Sequence, residues 1–113
     1  MAHGVVVKSL RTLLARILPG ESVMAGFAEI LRSHGIERAA VLSGIGSLVT
    51  ARFLGVQPGA GRPFRPQSIT HLAARGPFEI LTLEGNTFPS DEGPIVHLHV
   101  TLGTADGRVL GGQ

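Results

Sequence analysis

A chain of 113 residues with 43% hydrophobic content has material for one core, and a single domain over residues 1–113 is expected. It has no cysteine, which excludes disulfides and thiolate chemistry. It also has no apolar run of about eighteen residues that could span a membrane. Net charge is only +2 at pH 7 although the sequence pI is about 10.5, because nine of the ten cations are arginines and no tyrosine or cysteine titrates before them.

Lys8 and Arg11 interrupt what would have to be the apolar centre of a secretory leader, so a soluble cytoplasmic domain is expected. Residues 10–18 are apolar but ambiguous between helix and strand. The helix start that follows, Pro19-Gly20-Glu21-Ser22, favours a strand for them. Val23, Phe27, Ile30 and Leu31 then repeat at helical spacing, and Gly35 suits the left-handed position just past the helix end. His34, in the last turn, reads as a surface residue facing the negative end of the helix dipole.

Ile36 to Leu42 reads as a short buried strand. Ser43-Gly44-Ile45-Gly46-Ser47 interrupts it with glycines at alternate positions, which a ligand or a neighbouring strand could use for close backbone approach. The loop lacks the lysine and the following helix of a phosphate-binding loop. Leu48 to Val56 continues as strand. Residues 57–67 hold three prolines and two glycines and read as an exposed loop. Ser68 to Ala74 and Phe78 to Leu83 read as two strands joined by Arg75-Gly76-Pro77, with Gly85-Asn86-Thr87 closing the second.

Charge is unevenly placed. Between Glu37 and Glu79 lie Arg38, Arg52, Arg62, Arg65, Arg75 and His71 with no acid; beyond them Glu79, Glu84, Asp91, Glu92 and Asp106 are matched only by Arg108. The basic middle either pairs with the acidic end or forms an anion-binding face.

The most informative stretch is Gly93 to Gln113. Val96, Leu98, Val100 and Leu102 share one face of a strand, and His97, His99 and Thr101 share the other. Two histidines at i and i+2 suit a metal ion, a proton relay or an anion better than core filling. A turn ending in Asp106-Gly107 would return the chain along Arg108-Val109-Leu110 and carry Gln113 toward the histidines. The order of elements predicts an α+β fold, a mostly antiparallel sheet with one main helix packed on it.

Several linked motifs, LPGES with its helix, HGI followed by VLSGIGSL, GPFEILTLEGN, HLHVTLG and DGRVLGGQ, together resemble the PPC (plants and prokaryotes conserved) domain over Arg11 to Gln113. In plants this domain accompanies AT-hook nuclear proteins; in bacteria it stands alone and is described as DNA-binding. The resemblance implies a curved sheet and a homotrimer. Its motif positions fall on Ser43, Gly44 and Gly46 in one element and on Gly76, Phe78 and Glu79 in another. In bacterial relatives the paired histidines and a third after the final Gly-Gly can hold a divalent metal such as zinc near a subunit interface.

Here those positions are His97, His99 and Gln113, and a glutamine carbonyl is a weaker zinc partner than imidazole. The chain stops where family members usually continue through another strand, so that closing strand is expected to be missing. Gly61-Arg62-Pro63 is similar to an AT-hook core, but Ala60 stands where its first arginine belongs.

Two functions follow as expectations. One is DNA binding as a homotrimer, through Arg52, Arg62, Arg65 and Arg75. The other is a trimeric metal- or small-molecule-binding protein with its site at His97, His99, Gln113 and Thr101, assisted by Glu79 or Glu84. A purely structural role for the histidines in a trimer interface, with Phe78, Leu81 and Leu83 nearby, is the third reading. No nucleophile–base pair or paired catalytic carboxylates stand out, so no reaction is assigned.

Overall fold

A computed structural model of the chain describes residues 1–9, 11–56 and 69–113. Its elements are α1 (Val23–Ser33), β1 (Ala39–Val41), β2 (Gly46–Val56), β3 (Ile69–Phe88), β4 (Ile95–Thr104) and β5 (Val109–Gly112). The helix begins where its cap chemistry says it should: Ser22 is the N-cap and its hydroxyl accepts from the Ala25 amide at 3.4 Å. It ends at exposed His34, with Gly35 in the left-handed region at φ 62°.

β3 is the axis of the sheet. β2 pairs with its first part from Ile69 to Ile80, and β1 with Gly85 to Thr87. β4 pairs with Phe78 to Phe88 along the opposite edge, and β5 pairs in turn with β4. Every pairing is antiparallel. The sheet is curled, because the Leu54 amide of β2 donates to the Gln113 carbonyl at 2.6 Å and the Gln113 amide donates back to Leu54 at 3.1 Å. Strands separated by β3 and β4 could not exchange these bonds in a flat sheet. The core within the curl is Ala51, Phe53, Phe78 and Leu102, flanked by Leu48, Ala74, Ile80, Val100 and Leu110.

Four expectations change. Residues 11–18 form no strand, since no strand among the described residues pairs with them; Ile17 instead lies against the helix at Gly26. The two strands expected on either side of Arg75-Gly76-Pro77 are one strand of 20 residues. Proline cannot donate to a ladder, and here Gly76 and Pro77 together face Val49 at a bulge, where the missing N–H interrupts no regular pair. Likewise Gly85 to Thr87 does not close a strand but lies within β3, which runs on to Phe88. The buried strand expected over Ile36 to Leu42 shrinks to the three residues of β1, with Ala39 and Val41 half-buried and Ala40 exposed.

Candidate metal site and basic face

On β4 the alternation holds. Leu98 and Leu102 are buried with Val96 and Val100 half-buried beside them, while His99 is exposed and His97 half-buried on the other face. The two rings meet edge to face, and His97 Nε2 lies 3.2 Å from His99 Nε2. Two imidazoles bound to one zinc at Zn–N distances near 2.0–2.1 Å and a tetrahedral angle would hold those nitrogens about 3.3 Å apart. The pair therefore already has the bite of a chelate. Without a metal the same distance suits one ring donating an N–H to the other.

Along β3, Glu84 stands opposite His99 and Asn86 opposite His97. A bulge between Ile80 and Thr82 decides this arrangement. Glu79 and Glu84 are an odd number of residues apart and would face opposite ways on a regular strand. The extra residue turns both to the histidine face. Glu79 is committed elsewhere, accepting from the Ser47 hydroxyl at 2.8 Å and lying opposite Gly103. Only Glu84 is adjacent to the histidines. Period-two reading could not have chosen between the two acids, because nothing in the residues marks the bulge.

Gln113 follows Gly112, which pairs with Val100, so it lies near the histidines in the ladder. Its backbone is nevertheless tied to Leu54, and it lines a shallow concavity with Arg52, His71 and Leu72. No hydrogen bond joins its side chain to either histidine among the described residues. Nor do any three His, Cys, Asp or Glu side chains gather at metal-ligand spacing among the described residues.

Of the family-motif residues, Gly44, Gly76 and Phe78 are packed against their neighbours. Gly44 lies against Leu83, where a Cβ would come within 2.6 Å of the leucine's Cδ2. Close approach therefore serves a neighbouring side chain of the sheet. Gly76 presses on the Leu48 carbonyl, and Phe78 is buried in the core. Of the suggested interface residues, Phe78 and Leu83 are buried within the chain and Leu81 is exposed. The Ser47–Glu79 bond joins the two motifs directly.

The basic residues occupy the β2–β3 ribbon. Arg75 pairs with Thr50, Arg52 with Ala73 and His71 with Leu54, which sets these two exposed arginines and the exposed His71 imidazole on one face at diagonal positions. Arg62 and Arg65 lie outside the described residues. At the far turn, Asp106 is held by the Thr104 hydroxyl and by Arg108 Nε at 2.9 Å. These hydrogen bonds, Thr104 first and then Arg108, hold its carboxyl below the ordinary value of 3.8.

Among the described residues one helix packs with a curled antiparallel sheet that bears a histidine pair on its exposed face, which defines the class as α+β. The family model of the Plants and Prokaryotes Conserved (PCC) domain matches residues 5–113, and the chain belongs to that family.

Among solved structures, it is similar to a plant- and prokaryote-conserved protein of Pyrococcus horikoshii, with a TM-score of 0.76 and 30% identity over 90% of this chain and 66% of that one. A metal-containing protein from Archaeoglobus fulgidus matches with a TM-score of 0.71 and 29% identity over 85% of this chain and 63% of that one. A protein of Bacteroides thetaiotaomicron described as a putative DNA-binding protein shares the fold, with a TM-score of 0.67 and 23% identity over 80% of this chain and 58% of that one. Among curated proteins, the bifunctional protein GlmU of Synechococcus sp. (strain JA-3-3Ab) is 31% identical over 105 residues. That match takes in 93% of this chain but only 15% of the relative's length.

Proposed function

We propose that this chain acts as a cytoplasmic homotrimer that binds a divalent cation such as zinc through His97 and His99. The observation that carries the reading is the 3.2 Å separation of the two Nε2 atoms on an accessible sheet face. The similarity to a metal-containing archaeal protein at 29% identity supports it. A bound divalent ion would supply Lewis acidity and a fixed positive charge at the sheet face. The two imidazoles must then both be neutral and offer Nε2 as acceptor, which ends the hydrogen bond between them. Exposed Ile45, Val49 and Leu81 provide apolar surface for a second and third copy to cover.

Native mass spectrometry with elemental analysis tests both parts. A trimer carrying about one ion per subunit is expected, and His97→Ala should lose the ion. Metal retained in that variant rules the pair out as ligands.

A second reading, binding of DNA, is favoured by the Arg52–His71–Arg75 arrangement on a ribbon face with no acid between Glu37 and Glu79. A homotrimer would triple the small net charge and present three such faces. Affinity should then fall steeply with salt, and the double change Arg52→Ala with Arg75→Ala should flatten the log–log salt slope by about 2 for each face engaged. An unchanged slope removes this face from any nucleic-acid contact.

A further inference from the structure

We propose that the concavity beside Gln113 binds the phosphate group of a small molecule, held by Arg52, His71 and the Gln113 side-chain amide. The site is separate from the histidine pair and needs no metal.

Strand register builds it. Leu54 and Gln113 exchange both of their backbone hydrogen bonds, so they are directly opposed and their side chains share a face. His71 opposes Leu54 from the other side, on β3. His71, Leu54 and Gln113 therefore form a row, with the two outer backbones about 10 Å apart across Leu54. Arg52 lies two residues before Leu54, on the same face and diagonal to both ends of the row. All four line one concavity of about 330 Å³. That volume is at the low end for a small-molecule site and suits a single anionic group with a short substituent.

The donors fit such a group. Arg52 brings a full positive charge and a fork of N–H groups that matches phosphate oxygens. His71 offers a ring N–H in either tautomer, and the Gln113 amide offers two more. Donors arriving from three directions suit a tetrahedral phosphate better than a planar carboxylate, which Arg52 alone could satisfy.

Competition for these donors is small. Neither Arg52 nor His71 is in an ion pair among the described residues, where Arg32 pairs with Glu29 and Arg108 with Asp106. The chain has no acid between Glu37 and Glu79, and Glu84 is separated from Gln113 by β4. Arg75 shares the ribbon face but lies outside the concavity, which sets this site apart from the broader face that a DNA backbone would touch.

The experiment titrates the full chain with inorganic phosphate at constant ionic strength, followed by two-dimensional amide NMR, with sodium chloride and acetate as comparison salts. Arg52→Ala, Gln113→Ala, Arg75→Ala and His97→Ala are titrated in the same way, and the amide spectrum itself shows that each variant is folded. Phosphate should give saturable shifts at residues 52–54, 71–73 and 113, and acetate should bind more weakly. Arg52→Ala should weaken phosphate binding by at least about 10-fold and Gln113→Ala by about threefold, while Arg75→Ala and His97→Ala should stay within about twofold. Shifts that do not saturate, or that chloride reproduces, overturn the site. Equal losses in Arg52→Ala and Arg75→Ala overturn it in favour of a spread basic face of the kind DNA would use. Loss in His97→Ala places the phosphate on the histidine pair instead, and acetate binding as tightly as phosphate overturns the choice of phosphate.

Discussion

Replacing Gly85 with alanine would put a methyl carbon 1.9 Å from the His97 carbonyl oxygen and 2.9 Å from Leu98 Cα, both backbone atoms of β4. A carbon–oxygen contact of this kind normally closes at about 3.3 Å, so the two strands must part by roughly 1.4 Å. Ladder bonds near 2.9 Å do not survive that displacement. Losing about two of them at ~1 kcal/mol each, with ~1–3 kcal/mol of packing strain, gives roughly 4 kcal/mol. That is a large part of the ~5–15 kcal/mol typical of a small domain.

A thermal melt followed by far-UV circular dichroism should show Tm lower by about 16 °C, at ~4 °C per kcal/mol. Gly55→Ala is the control, because a Cβ there meets nothing within 4 Å; its stability should change by no more than about 0.5 kcal/mol. Coincident melts for the two variants would refute the close approach of β3 and β4 at Gly85.

Other outcomes follow from packing, capping and charge. Phe78, only 3% exposed, anchors the core, and Phe78→Ala should cost about 3–5 kcal/mol in urea unfolding. Ser22→Ala removes the helix N-cap and should cost about 1 kcal/mol; an unchanged melt would show that the cap is dispensable. Asp106 has a folded-state pKa below its ordinary value of 3.8, so its contribution to stability is present above that value and fades as pH falls through the lowered one. Asp106→Asn should therefore melt lower than the parent at neutral pH, with the two curves converging in acid. A gap that persists unchanged through the acid range would remove the carboxylate's charge as the cause.

What the residues determined by themselves was local. Ser22 and Gly35 mark the two ends of α1 through cap chemistry that depends on a few neighbouring atoms. Strict alternation from Val96 to Leu102 divides β4 into a core face and a histidine face, since strand geometry has a period of two wherever it forms. The linked motifs from LPGES to DGRVLGGQ carried the family. The failures of sequence reading were not local.

Residues 11–18 are apolar enough for a strand but have no strand beside them, and a strand exists only through its partner. Arg75-Gly76-Pro77 looks like a break, yet the bulge opposite Val49 lets β3 pass through it. Glu79 and Glu84 cannot be told apart in the sequence. Only the second bulge and the Ser47 contact place one beside His99 and hold the other away. The bond between Leu54 and Gln113 joins positions far apart in the chain, so it depended on how the whole sheet curls. Caps and alternation are set by neighbours in the chain; register, bulges and closure are set by neighbours in space, which only the tertiary structure supplies.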